Sequence, residues 1–306
     1  MKTLLRVLVA IGVLVALAWY PLLRSSPAPV PGAFVVELDG LRKIADAPPE
    51  ELPTSVRSLD IAVGDMPKFG AVAGEGLGSW PAIYTSFQVV TPDAGTVIID
   101  AAFSREGSKP LQPLITTFSD DAFAKLEAAM RNASAIVITH EHLDHLGGIV
   151  QSKHFAEYVQ GKALLTKTQV DWAQQDPRTL LSAENAKTIK TFDYEKLYRV
   201  APGVALQKAP GHSPGSELVY VRTADGHELL FVGDIAWNEE SLRVMKMRPL
   251  LASLGLKEDR QAVIDELAAI KAVKEANPKL TIVVAHDGEN LKRAIADGAV
   301  TEGFVE

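Results

Sequence analysis

Cysteine is absent from all 306 residues. That excludes disulfide bonds, a thiolate nucleophile, thiolate metal ligands and a lipid carried on cysteine. It leaves the compartment open, because a chain without thiols tolerates oxidising and reducing surroundings alike. Any metal must then be held by histidine and carboxylate. An excess of cations is absent as well: 31 Lys and Arg stand against 38 Asp and Glu, a formal charge of −7. A chain that lives on phosphate contacts carries a basic face, so nucleic acid is not expected as a partner. Aromatic residues are few, yet 47% of the chain is hydrophobic and 23% charged, the balance of a globular domain with a real core. Histidine is scarce at seven, so its clustering is informative.

The first long uncharged run lies at the N-terminus. Lys2 and Arg6 precede Val7 to Leu23, and Arg24 closes it. These seventeen residues sit at the lower end of what spans a bilayer, and Trp19 and Tyr20 suit its interface. Ser25 to Gly32, rich in proline and serine, reads as an extended linker. The expected division is a signal or anchor helix over 1–24, a linker over 25–33 and a single domain over 34–306. The domain is expected to be exported, periplasmic or extracytoplasmic, and tethered to the inner membrane by residues 4–23. A cleaved signal is the alternative, although Ala16-Leu17-Ala18 lies inside the apolar core rather than after it.

Past the linker, strand-like runs cover Ser58–Val63, Ile83–Thr91 and Gly95–Asp100, the last two joined by a turn at Pro92-Asp93-Ala94. Gly64 to Trp80, glycine-rich, reads as a mobile loop. Ser119-Asp120 opens a helix to about Asn132, and Ala135–Thr139 is a short apolar strand. Helices are expected over Gly148–Gln160, Thr168–Gln175, Glu258–Ala276 and Glu289–Ala296. Strands are expected at Ala163–Leu165, up to Lys208, and at Leu280–Ala285, with a hairpin from Glu217 to Val232 around Asp225-Gly226. Helices interleaved with strands predict an α/β fold with helices layered on sheet.

The strand Ala135–Thr139 delivers His140-Glu141-His142-Leu143-Asp144-His145, four metal-ligating side chains in six positions. In an extended or turning loop His140 and His142 project to one side and can clamp one ion. Asp144 and His145 project differently and can begin a second site. Imidazole and carboxylate suit zinc, with iron or manganese as substitutes. A polar surface loop is the plain alternative, but three of seven histidines within six positions is poorly explained by chance. One loop cannot complete two sites. The missing ligands are sought where later strands end: His212 in Pro210-Gly211-His212-Ser213-Pro214-Gly215, Asp234 after Leu229–Gly233, and His286 after Ile282–Ala285.

With these landmarks in order from about Asp100 to His286, the chain resembles the metallo-β-lactamase-fold hydrolases, whose hallmark is H-x-H-x-D-H followed by spaced His, Asp and His. The resemblance implies an αββα sandwich with the site along one edge of two sheets. It implies that His140, His142 and His212 bind a first metal, that Asp144, His145 and His286 bind a second, and that Asp234 bridges. Asp100 matches the family's early aspartate, which supports the site by hydrogen bonding. The implied reaction is hydrolysis by a water that two cations share and ionise near neutral pH, with Asp144 or Asp234 moving the proton.

Departures from subfamilies narrow the substrate. The missing cysteine argues against the main zinc β-lactamases, and His142 in place of Glu against flavodiiron oxygen reductases. Twenty residues after His286 are too few for the helical substrate domain of glyoxalase II. The His/Asp set resembles acyl-homoserine lactonases, but those place a tyrosine where this chain has Trp237, which offers no phenol oxygen. The expected substrate is a small ester, lactone or thioester. An acyl-homoserine lactonase, a non-catalytic metal-binding member and an iron redox member remain as alternatives. Phe69, Trp80, Phe103 and Trp237 are candidate walls of an apolar pocket. Arg243, Lys246 and Arg248 form either a solvated face or a seat for an anionic substrate.

Overall fold

The computed structural model describes residues 2–305 except Asp93, Ala94 and Pro113. Asp93 and Ala94 of the expected turn therefore lie outside the described residues. The first sheet holds β1 (Ser55–Pro67), β2 (Ser79–Val90), β3 (Thr96–Ile99), β4 (Ile115–Phe118), β5 (Ala135–Val137) and β6 (Ala163–Leu164). The second holds β7 (Leu197–Ala201), β8 (Val204–Lys208), β9 (Glu217–Arg222), β10 (Glu228–Phe231) and β11 (Leu280–Val283). A last strand, β12 (Thr301–Glu302), returns to the first sheet alongside β1. Sheet orders are β12-β1-β2-β3-β5-β6, with β4 also on β1, and β11-β10-β9-β8-β7.

Alternation along single strands builds the layers. In β3, Val97 and Ile99 face the other sheet while Ile98 faces outward; in β10, Leu229 and Phe231 face inward and Leu230 outward. The inner faces meet in a core of Val89, Val97, Val137, Leu206, Val219 and Phe231. Helix Asp120–Asn132 covers the outer face of the first sheet through Leu126 and Met130. Helix Arg260–Ala276 covers the second through Val263, Ile264, Leu267 and Ile270. The result is an αββα sandwich. Because both faces are covered, the strands read as near-continuous apolar runs.

Two parallel pairs fix where the site forms. β3 pairs with β5 (Ile99 opposite Val137), and β10 with β11 (Phe231 opposite Val283). Parallel neighbours end on the same edge, so Asp100, the histidine motif, Asp234 and His286 all emerge along one rim of the sandwich.

Several expectations shift. Gly64 to Trp80 is largely ordered secondary structure: β1 and β2 pair out to Pro67 opposite Ser79, and Lys68–Ala71 forms one helical turn. The helix expected at Gly148–Gln160 begins earlier, at Leu143 inside the motif, runs to Val150, and is followed by a separate turn at Phe155–Val159. Gly147 and Gly148 serve close packing: a Cβ at Gly148 would stand 1.9 Å from the Ala101 carbonyl oxygen. β4, β7, β12 and the helix Leu250–Leu256 were not expected from the pattern. Residues 25–30 run without regular secondary structure, as a linker would, but lie along helix Arg260–Ala276, with the Val30 amide donating to Asp265 at 2.6 Å. Helix Lys2–Trp19 precedes them with Leu4, Leu8, Ile11 and Leu14 exposed. Among the described residues no helix is long and apolar enough to cross a membrane.

Candidate metal centre

The rim gathers all seven expected ligands into two groups that can each hold a metal ion, His140, His142, His212 and Asp234 in one, Asp144, His145, Asp234 and His286 in the other. Ligating atoms in each group lie within 4.8 Å of one another. His140 Nε2 stands 3.1 Å from His142 Nδ1, and His212 Nε2 stands 2.9 Å from that same atom. Asp234 reaches both groups: its Oδ2 is 3.4 Å from His212 Nε2, its Oδ1 3.1 Å from His286 Nε2 and 3.2 Å from His145 Nε2. Asp144 Oδ2 lies 3.4 Å from His286 Nε2. His145 Nε2 and Asp234 Oδ1 are buried without a hydrogen-bond partner. Unpaired buried polar atoms are costly, and convergent imidazole and carboxylate atoms are what a divalent cation would satisfy, so this set fits a metal pair.

The backbone explains the convergence. Asp234 follows Gly233, whose φ is +49° and whose absent Cβ would come within 2.8 Å of Thr139; only glycine lets β10 turn here against the strand that bears the motif. Asp144 and His145 ride the first turn of helix Leu143–Val150.

Three of the five histidines are fixed from behind. His145 Nδ1 donates to Asp100 Oδ2 at 2.9 Å, His286 Nδ1 to the Ile83 carbonyl at 2.9 Å, and His212 Nδ1 to Glu258 Oε1 at 2.6 Å. With Nδ1 so engaged, Nε2 is the atom each ring aims at the site. Asp100 also accepts from the Thr139 amide at 2.6 Å and from its hydroxyl, and it does so from a left-handed backbone, φ +60°, unusual for a non-glycine residue. Glu141, between the two clamp histidines, is not a ligand; it accepts from Ser213 Oγ at 2.9 Å and the Gly215 amide, tying the motif to the His212 loop.

Burial and charge act in opposition. Burial first, and then the nearby His212 imidazole, pushes His142 down to about 3, and burial holds His140 well below the usual histidine range. Both imidazoles are therefore neutral. Burial would lower His145 too, but the carboxylates of Asp100, Asp234 and Asp144 outweigh it and hold His145 well above that range. Asp234 is held well below the ordinary carboxylate range because His286, His145 and His140 outweigh its burial.

A cavity of about 400 Å³ opens onto the site and is lined by Met66, Tyr84, Leu111, Leu143, Arg178 and Trp237, among others. Of the four expected pocket walls, Trp237 alone lines it. Phe103 is buried in the core, edge-on to Tyr84 at 5.2 Å. Trp80 packs with Met66, Ala71 and Val72, and Phe69 is exposed just outside. Trp237 is more than a wall, since its Nε1 donates to Asp234 Oδ2 at 2.6 Å. Arg248 belongs to no solvated face: it is buried, ion-paired to Glu258, 3.2 Å from His212 Nδ1, with its guanidinium 4.7 Å from the Trp237 ring centre. Glu258, Tyr84 and Arg178 were missed by sequence reasoning because each stands alone, with no motif around it.

The sequence profile of the Metallo-beta-lactamase superfamily matches residues 81–286. A solved quorum-quenching N-acyl homoserine lactone lactonase superposes with a TM-score of 0.62 at 16% identity, covering 79% of this chain and 95% of that one. A probable metal-dependent hydrolase from Staphylococcus aureus gives 0.60 at 15% identity, covering 78% and 90%. Among curated proteins, the transcription termination factor FttA of Methanothermobacter thermautotrophicus is 26% identical over 132 residues, 38% of this chain. The match spans about a fifth (21%) of that relative's length. Fold, ligand geometry and profile agree, and the chain belongs to the metallo-beta-lactamase superfamily.

Proposed function

We propose that the protein is a metal-dependent hydrolase that cleaves a small ester, lactone or thioester at a two-metal centre. His140, His142 and His212 would hold one ion, Asp144, His145 and His286 the other, and Asp234 both. The observation that carries this reading is Asp234, whose two oxygens face two separate nitrogen clusters. The all-nitrogen and oxygen donor set favours zinc, with iron or manganese as substitutes.

Cations held there would supply a water acidic enough to ionise near neutral pH and positive charge for the acyl oxygen. The chain's own groups do the rest. Trp237, Leu111, Leu143 and Met66 exclude water from the acyl side of the pocket. Tyr84 lines the same pocket; burial, and then the charges of Asp144 and Asp234, push its hydroxyl above its ordinary range, so it stays protonated and can donate to the developing oxyanion. Asp144 Oδ2, on the cavity wall, is placed to take the attacking water's proton and return it to the departing oxygen or sulfur. An acyl-homoserine lactone is the specific candidate favoured by the likeness to a lactonase fold, with Tyr84 supplying from β2 the phenol that Trp237 lacks. The acidic charge of −7 supports a small molecule over nucleic acid as the partner.

Metal content and turnover across chromogenic esters, thioesters and acyl lactones, on the wild type and Asp234→Asn, test the reading. About two metals per chain, turnover in the wild type and loss of both turnover and metal in the variant are expected. A fully zinc-loaded wild type that turns over nothing across the panel overturns it in favour of a binding protein. Activity with iron alone and a redox substrate overturns it in favour of an electron-transfer enzyme. We also propose that the domain is exported and held to the inner membrane by residues 4–23; cell fractionation of the full chain should place it in the membrane pellet, extractable by detergent but not by high salt.

A further inference from the structure

We propose that the mouth of the metal-site pocket lies against a lipid bilayer, so that the substrate is an acyl amphiphile entering from the membrane. The inference deepens the hydrolase reading and rests on it for the word substrate, but not for the geometry.

The connection between the N-terminal helix and the pocket is built, not loose. The π-helical turn Tyr20–Arg24 packs on helix Leu250–Leu256, whose Ala252 and Leu256 line the pocket. The Gly74 amide donates to the Leu23 carbonyl at 3.1 Å, and the Ala73 amide to the Met247 carbonyl at 2.9 Å. Behind them Arg260 donates to the Ser25 carbonyl at 2.9 Å and Gln261 to the Ala28 carbonyl at 3.0 Å. Arg24 lies 4.9 Å over the Trp19 ring, carrying the contact into the helix itself. Helix Lys2–Trp19 therefore leaves the domain from a fixed point beside the pocket. Its sequence is apolar all round apart from the charges of Lys2 and Arg6, and it is about 27 Å long at 1.5 Å per residue. Such a helix needs an apolar surrounding on every side.

The apolar surface continues onto the domain. Among the described residues, eight large apolar side chains beyond residue 36 are exposed: Val63, Phe69, Leu77, Leu114, Leu180, Leu251, Leu254 and Val305. Six of them ring the pocket. Leu114 lines it, and Phe69 adjoins Gly70, which does. Leu77, 90% exposed, sits on the loop that the Lys68 amide ties back through Gly78. Leu251 and Leu254, 58% and 64% exposed, are on the pocket helix, and Leu180 adjoins Arg178 and Pro110. Arg24 and Lys246 meet beside Gly74, Lys68 and Lys257 adjoin the pocket residues Pro67 and Leu256, and Asp65, Glu75 and Glu106 are the opposing charges, in a chain whose net charge is −7. A soluble surface scatters such side chains singly; a ring of them around one opening, continuous with an apolar helix and edged by cations, is the pattern of an interface with anionic lipid.

The absence of native cysteine makes the test direct. Full-length Leu77→Cys, Leu180→Cys and Leu254→Cys are each labelled with an environment-sensitive fluorophore and reconstituted into vesicles of phosphatidylethanolamine and phosphatidylglycerol, with and without brominated acyl chains. Val305→Cys is the reference, since β12 lies against the start of β1, ten residues and roughly 33 Å from the pocket end of that strand. All four sites are exposed, so the substitutions leave the fold alone, and circular dichroism checks this. Several-fold stronger quenching by brominated lipid at 77, 180 and 254 than at 305 is expected. Equal quenching at all four, or rim labels that aqueous iodide reaches as freely as position 305, overturns the proposal while leaving the hydrolase and the tether standing. Rim labels shielded from iodide yet unquenched by bromine overturn it in favour of a second protein surface.

Discussion

Trp237 donates its indole N–H to Asp234 Oδ2 across 2.6 Å, so an aromatic wall of the pocket grips the carboxylate that the two ligand groups share. The indole fixes that carboxylate's orientation before any ion arrives. Trp237→Phe keeps the ring, its place in the pocket and its packing under Arg248. It removes only the hydrogen bond. Outer partners of metal ligands are typically worth about tenfold to a hundredfold in affinity. Competition with a chelator should show metal affinity lowered within that range while the melting temperature of the metal-free protein falls by no more than roughly 10 °C, the scale for loss of one hydrogen bond to a carboxylate. Unchanged affinity would show the contact to be incidental.

Glu258 holds His212 Nδ1 on one side and Arg248 on the other, and neither Glu258 nor Arg248 has solvent to fall back on. Replacing Glu258 by Ala strands a buried guanidinium, a change that costs about 3–5 kcal/mol. Glu258→Gln keeps an acceptor for His212 but not the charge. Denaturant unfolding should therefore rank stability as wild type, then Gln, then Ala, and metal analysis should show partial occupancy in both variants. A Gln variant as stable as the wild type would mean that the ion pair merely breaks even.

Tyr84 supplies a third check, independent of metal loading. Tyr84 lines the pocket, and its ring lies 4.9 Å from that of His286. Tyr84→Phe should retain both metals and lower kcat by about a hundredfold, the usual effect of losing one oxyanion donor, with little change in KM. Loss of metal instead would make Tyr84 a packing partner of His286 and nothing more.

How much of this could be read from sequence depends on what each feature asks of its neighbours. The His140–His145 motif, Gly211-His212 and Gly233-Asp234 announce themselves because a ligand at a strand end needs a particular residue at a particular place, and the structure brings them together. Strands buried on both faces were legible as apolar runs. Short edge strands such as β7 and β12 were not, because half-exposed residues carry little periodic signal. The loop expected at Gly64–Trp80 turned into strand because β1 and β2 pair far beyond their apolar centres, a tertiary effect that overrides local glycine content. Arg248 and Glu258 look like surface charges in the sequence; only their mutual pairing allows both to be buried, and pairing between residues ten apart, on the two sides of helix Leu250–Leu256, leaves no local mark.

Glu217, first residue of β9, gives the last prediction, and here the sign matters. Its side chain is buried, and that burial pushes the carboxyl up from an ordinary 4.5 to about 8, with the Tyr194 hydroxyl and Lys208 offsetting only part of the cost. In the folded protein it is therefore mostly protonated at pH 7, whereas in the unfolded chain it is ionised. A group whose folded value is raised contributes its stability fully below about 4.5 and loses it as pH rises through about 8. Across that window one such group lowers stability by up to about 1.4 kcal/mol per pH unit. Glu217→Gln mimics the protonated side chain at every pH. Unfolding free energies of the two proteins should coincide near pH 4.5 and diverge toward pH 8, with the variant the more stable by roughly 1 kcal/mol or more. Parallel curves for wild type and variant across this range would show that Glu217 is no more protonated in the fold than in the open chain.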